Sequence, residues 1–285
     1  MDFTLYWFMF PVAIMVATCA MLSGIGGAAL FTPIFVLVFP LLGPEYVLES
    51  TLAAIAAALI TQTFGFLSGF IGYYRRGLID YGLAWQFIRL AVPIAVLGVW
   101  VAGTAPDFVL LASYSLLIFA LAISLWKRAG SLNLVGVSYG KTIVDSRGEV
   151  YSYEPPKLGA SNVALTSTGA FLTGLVSVGI GEVTVSQLTQ KGIPIAVAAA
   201  TSVLIVSVTV LFASSTHAAQ LIQGGGWDAV PWDLLIWDIP GVLIGGQIGP
   251  QLQGLVPQQT MRRAIAILFV ILAIAMFTVA VTKFQ

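Results

Sequence analysis

The sequence predicts an all-α membrane protein: a duplicated polytopic helical bundle with two pseudo-symmetric, inverted halves, each carrying a glycine-broken or re-entrant segment. Three observations lead there. Apolar residues make up 59% of the 285 positions and charged residues only 8%, with a mean hydropathy of +0.98. That leaves too little polar surface to cover a soluble globule. The apolar residues are gathered into long runs, several of them near the roughly 20 residues that cross a bilayer as a helix. Finally, the stretch Ser23-Gly24-Ile25-Gly26-Gly27 is echoed in the second half by Val178-Gly179-Ile180-Gly181-Glu182.

Taken in order, the apolar segments lie at about residues 4 to 22, 28 to 42, 48 to 72, 82 to 103, 108 to 126, 161 to 179, 194 to 222, 233 to 250 and 262 to 282. The first begins MDFTLYWFMF, with an acid where a signal peptide has basic residues, and is read as a retained membrane segment. The second is short for a crossing. Its counterpart in the second half, Glu182 to Lys191 (EVTVSQLTQK), is shorter and more polar. The only long polar stretch, residues 127 to 160, separates a first repeat (1 to 126) from a second (161 to 285). Within it, KTIVDSRGEVYSYE alternates β-formers around Asp145-Ser146-Arg147-Gly148 and predicts a small β-hairpin ending at Pro155-Pro156, most simply a solvated linker on the cytoplasmic side.

Internal duplication rests on three matches in the same order: the two glycine breaks, Ser50-Thr51 with Ala200-Thr201, and Pro93/Gly98 with Pro240/Gly245 at identical internal spacing. Charge indicates how the halves are related. If the chain reverses side at each break, Arg75, Arg76, Lys127, Arg128, Lys141, Arg147, Lys157, Lys191, Arg262 and Arg263 share one side and only Lys283 is left on the other. The positive-inside bias therefore favours both termini outside and inverted halves. Residues 182 to 191 are too few to cross a bilayer, so this count requires half-length or re-entrant segments buried in protein.

A break of that kind has a chemical consequence. Glycine permits φ > 0 and close approach of backbone to a ligand, and a helix starting in mid-membrane presents free N–H groups and the positive end of its dipole. Together these make an anion site. The competing reading is that the glycines only let helices pack closely; two related breaks at matching places favour the site.

The glycine-rich GIGG followed by Thr32-Pro33, the RRGLID turn (Arg75 to Asp80), GIGEVTVSQL, the run Pro194 to Val203 and IPGVLIGGQIGPQL (Ile239 to Leu252) resemble the TauE/SafE sulfite exporter family over nearly the whole chain except the 127 to 160 insert. Ala28 after Gly27, and Ala200 before Thr201, depart from the glycines common in relatives. The resemblance implies a secondary transporter, an exporter in a bacterial cytoplasmic membrane, moving small sulfur-containing or organic anions such as sulfite, sulfoacetate and other sulfonates.

Intramembrane polar residues are costly and hence functional candidates. Glu182 directly follows the second break and reads either as a proton-coupling carboxylate or as a helix-start cap. The candidate substrate-binding set is Ser23, Gly24, Gly26, Gly27, Thr32, Gln62, Gly179, Gly181, Glu182, Ser186 and Gln187. Arg89, two turns into its segment, joins Glu182 as a candidate for coupling or gating, or else snorkels to the interface. Asp238 and Glu49 invite the same two readings. His217 is expected at the interface and Cys19 as a small apolar packer. Tyr6-Trp7, Tyr73-Tyr74, Trp126 and Trp227/Trp232 are expected in interfacial belts.

The same residues exclude other classes. Zero net charge gives no footprint for nucleic acid, and one cysteine with one histidine offers no disulfide and no metal cluster. No cofactor is implied, and the expected partners are a small anion and membrane lipid. A passive anion channel remains the alternative, with a membrane-embedded enzyme or assembly factor behind it, because no nucleophile with a nearby base is visible.

Overall fold

A computed structural model of the chain describes residues 3–23, 26–128, 140–156, 159–252 and 258–284. Helices α1 (Met9–Ser23), α2 (Ala28–Pro33), α3 (Phe39–Leu42), α4 (Thr51–Arg76), α5 (Tyr81–Ala102) and α6 (Asp107–Arg128) precede strands β1 (Lys141–Val144) and β2 (Val150–Tyr153). They are followed by α7 (Ala160–Val176), α8 (Ile180–Gln190), α9 (Ile195–Gly225), α10 (Trp232–Leu252) and α11 (Gln258–Phe284). Among the described residues, α4, α5, α6, α9 and α11 each contain a window long and apolar enough for a full crossing. This is an integral, multi-pass membrane protein.

The chain turns back at both breaks. The start of α1 lies beside α3 and the turn after it, because the Tyr6 ring packs at a tilt on Phe39, 5.2 Å between centres, and its hydroxyl donates to the Tyr46 carbonyl. Yet α2 begins beside Gln62, in the middle of α4. So α1 runs inward and α2–α3 returns outward to the end from which α1 came. A π-helical turn, Ile34–Val38, joins α2 to α3; its wider bonds, Phe39 N–H to Ile34 O, carry the helix into Pro40, which has no N–H to give. In the second half α7 ends with Ser177 in the left-handed region (φ 68°) and Gly179 at φ 142°, and α8 sets off after only those turn residues.

Packing partners are exchanged in pairs. Helix α1 lies along α10 and α7 along α5; α4 packs on α10 and α9 on α5; α4 meets α9, and α6 meets α11. Two glycines permit the first two contacts. A β-carbon on Gly174 of α7 would fall on the Ala95 carbonyl of α5, and one on Gly245 of α10 on the Ile14 carbonyl of α1. Close approach of this kind is what drives helix association where lipid offers no hydrophobic gain.

The two ends differ in chemistry. At one, Lys283 meets Asp107 at 2.6 Å and Thr51 at 3.2 Å. At the other, the β-hairpin is bonded to the end of α4 and the start of α5. The expected hairpin forms, with Lys141 opposite Tyr153 and Val144 opposite Val150. It is more than a solvated linker, since Tyr153 is buried against the bundle. Lys141 and Tyr153 both bond the Asp80 carboxylate at 2.7 Å, while Asp80 caps α5 through the Leu83 amide and gives its own amide to Thr201 of α9. Arg76 pairs with Asp145 at 3.2 Å and reaches the Pro250 carbonyl of α10. Burial opposes ionisation of Asp80, but the bonds from Lys141, Tyr153 and Leu83 outweigh it and hold its carboxyl below the usual range. Taking this basic end as cytoplasmic follows the positive-inside bias.

Several expectations need correction. His217 is not interfacial: it is fully buried and bonds the Gly174 carbonyl through Nε2 at 2.8 Å. Cys19 is exposed rather than packed inside. The aromatic pairs divide, Trp7 and Tyr74 facing out while Tyr6 and Tyr73 are buried; for Tyr73 and Tyr74 the reason is that neighbours on a helix point about 100° apart.

Candidate functional site

The two breaks meet on one carboxylate. Glu182 stands in the first turn of α8, buried, and its Oε2 accepts the Gly179 amide at 3.1 Å. That is an ordinary helix-start cap, favoured by the dipole. Its other oxygen crosses to the first half, where Oε1 accepts the Gly26 amide at 2.8 Å. Gln62 of α4 takes the next available donor, the Ala28 amide, on its Oε1 at 2.5 Å. Side-chain hydroxyls close the rest of the junction: Thr32 and Ser177 share a hydrogen bond of 2.8 Å between the halves, Thr173 accepts the Ile180 amide at 2.7 Å, and Tyr114 donates to the Ala29 carbonyl at 2.9 Å.

Each of these bonds answers a requirement of the fold. A helix beginning inside the membrane leaves its first N–H groups without intrahelical partners, and no water is present to take them. Here those donors turn to side chains: the Gly26 and Gly179 amides to Glu182 of α8, the Ala28 amide to Gln62 of α4, and the Ile180 amide to Thr173 of α7. The dipoles of α2 and α8 both point their positive ends at the junction, where the Glu182 carboxyl lies between them. Chemically, backbone amides from the two breaks converge on one carboxyl group.

Of the expected residues, the structure brings together Gly26, Gln62, Gly179 and Glu182, with Thr32 one turn along α2. Gly27 supplies the carbonyl that opens α2, in ordinary helical conformation. A β-carbon there would make only normal contacts, the nearest 3.6 Å away, so close approach does not explain Gly27. Positive φ is used at Gly179 alone of the described break glycines. Gly181 is buried in α8 and its carbonyl accepts from Ser202 at 3.3 Å. Gln187 bonds Thr166 of α7 through Nε2 at 3.2 Å, leaving Oε1 buried without a hydrogen-bond partner among the described residues. Ser186, one turn beyond Glu182, is partly buried and receives the Gln190 amide at 3.4 Å. Gly24 and the side chain of Ser23 lie outside the described residues.

Arg89 is not part of this junction. It is exposed on the outer surface of α5, its guanidinium 5.3 Å from the centre of the Trp85 ring. Sequence reading also missed Ser177, Thr173 and Tyr114. A hydroxyl immediately before Val178-Gly179 was a legible signal for Ser177; Tyr114, 85 residues from its partner Ala29, gave none.

Two re-entrant half-helices, presenting their N-termini to one buried junction inside a multi-pass bundle, are the architecture of a membrane transporter. The chain belongs to the Sulfite exporter TauE/SafE family, whose model matches residues 9–276. It is similar to the protein named "Probable membrane transporter protein YunE" of Bacillus subtilis (strain 168), 25% identical over 199 residues, which cover 69% of this chain and 70% of that one. No solved structure matches. Family and relative alike are membrane transporters and not enzymes.

Proposed function

We propose that the protein is a secondary transporter of small sulfur-containing or organic anions, such as sulfite, sulfoacetate or other sulfonates, in a bacterial cytoplasmic membrane. In this reading residues 1–126 and 161–285 are inverted repeats that rock against each other around the junction of the breaks. The paired exchange of packing partners between the halves supports the repeat, and the basic residues gathered at the hairpin end support the orientation.

One observation carries the site: the Glu182 carboxylate seated on the Gly26 and Gly179 amides, 2.8 and 3.1 Å away. An amide pair that holds one carboxylate will hold another, or a sulfonate oxygen, once Glu182 withdraws. Protonation weakens Glu182 as an acceptor and removes its repulsion of an arriving anion, so proton binding and anion binding favour each other at this point. Coupling by displacement follows, with Gln62, Thr32, Ser177 and Ser186 as neutral groups around the incoming oxyanion. Direction of transport is then set by the gradients.

The test is uptake into proteoliposomes under an imposed pH gradient, comparing wild type with Glu182→Gln for sulfite, sulfoacetate and a simple carboxylate. Gradient-driven accumulation of a sulfonate, abolished by the substitution while exchange persists, supports the reading. Transport indifferent to both gradient and substitution refutes displacement coupling and leaves Glu182 as a cap in a channel or uniporter.

A further inference from the structure

A second buried carboxylate lies outside this junction. Asp238, on α10, is fully inaccessible. Its Oδ2 accepts one bond, from the Thr61 hydroxyl of α4 at 3.2 Å, and its Oδ1 has no hydrogen-bond partner among the described residues. No cation faces it. Helix α1, which packs along α10, carries no charged residue, and its titratable side chain Cys19 is exposed. Helix α4 carries no titratable group before Tyr73, near its far end, and on α10 itself Asp233 sits at the outer terminus. Oδ1 is thus a buried acceptor with room for a donor, and an intramembrane acid so placed is a functional candidate.

Helix pairing does not need the acid. By the Pro93/Pro240 match, the position equivalent to Asp238 is Ala91, which is fully buried in α5. The seam between α5 and α9 closes over a methyl group where the seam between α10 and α4 closes over a carboxyl.

Its placement connects it with the anion junction. Thr61, which holds Asp238, is followed in α4 by Gln62, which holds the Ala28 amide beside Glu182. A β-carbon on Gly26 would touch both Gln62 and Glu182, so these two side chains flank one spot. Thus α4 meets Asp238 through Thr61 and the first break through the next residue, Gln62. Toward the outer ends of α10 and α4, Leu234, Leu235, Ala54, Ala57 and Ala58 are buried in one apolar cluster. Beyond them, at the outer ends of α4 and α10, lies a cavity of about 400 Å³ rimmed by Glu45, Glu49, Asp228 and Asp233.

We propose that Asp238 is a proton-binding site of this transporter, loaded from the outer cavity when the seam between α4 and α10 parts, and communicating with the anion junction through Thr61 and Gln62. The inference rests on the transporter reading above, but one of its tests does not. The infrared carbonyl stretch of a protonated carboxylic acid is recorded on purified protein across a pH titration, for wild type, Asp238→Asn, Thr61→Val and Glu182→Gln. The expected result is a band present in wild type and Glu182→Gln, missing in Asp238→Asn, and shifted in its titration by Thr61→Val. A wild-type spectrum with no band that Asp238→Asn removes overturns the proposal, whether or not any anion is carried. So does a band that appears only when sodium ions are withdrawn, which would make sodium the ligand.

In proteoliposomes, with sulfite and sulfoacetate as probes, Asp238→Asn should reduce gradient-driven accumulation about tenfold or more beyond any loss of exchange. Equal losses in both would make Asp238 structural and overturn the coupling. Thr61→Val keeps the question open to a negative answer should Asp238→Asn fail to fold: an unaltered band and unaltered accumulation in that variant also count against the route.

Discussion

Oε1 of Glu182 accepts the amide of Gly26 at 2.8 Å although 156 residues separate them. The bond joins the two halves of the chain where their helices break, so its behaviour on substitution separates a cap from a coupling device. In Glu182→Gln, one amide oxygen replaces two carboxylate oxygens, and the new NH2 faces an N–H donor. A stability loss of about 1–3 kcal/mol is expected from the donor left unsatisfied, read as a lowered melting temperature in detergent. Added sulfoacetate should restore part of it, because ligand binding stabilises the state that binds.

The glycines divide into those the packing requires and those it does not. Gly174→Ala should destabilise by about 1–3 kcal/mol or more, since its β-carbon falls on the Ala95 carbonyl and backbone cannot yield as a side chain does. Gly27→Ala should be neutral or slightly stabilising, its φ of −58° being ordinary and its space sufficient. Thermal unfolding of the two variants side by side checks both.

His217 gives Gly174 a second reason to matter, since it binds that residue's carbonyl at 2.8 Å. Its Nε2 therefore carries the proton. His217→Ala should cost about 2–5 kcal/mol, losing the donor and leaving a cavity. His217→Gln, which keeps a donor at similar reach, should recover much of that in the same unfolding measurement.

The hairpin should release in acid. The folded-state pKa of Asp80 is depressed, so its contribution is present above the unfolded value of about 3.9 and is lost as pH falls through the lower folded value. Between neutral pH and about pH 5 the attachment should be unchanged. Tryptic cleavage at Arg147 after brief acid exposure reads the release. Tyr153→Phe combined with Lys141→Met, which removes both side-chain donors to Asp80, should make that cleavage fast at neutral pH.

Much of this protein was legible in its residues. Hydropathy declared the membrane, the two GIG breaks announced interrupted helices, and the one-sided basic residues implied reversal at each break. All three are local or additive properties, which a linear chain displays openly. Glu182 stood out because a carboxylate beside a mid-membrane break is costly wherever it goes. Sequence could not reveal that its second oxygen belongs to Gly26, that Asp80 anchors the hairpin, that Arg89 faces outward, or that Asp238 Oδ1 has no hydrogen-bond partner among the described residues. Each depends on which face of one helix meets which face of another. A rotation of 100° per residue turns neighbours such as Thr61 and Gln62 toward different partners, so only the packed bundle decides which polar group is satisfied and which is left to bind something else.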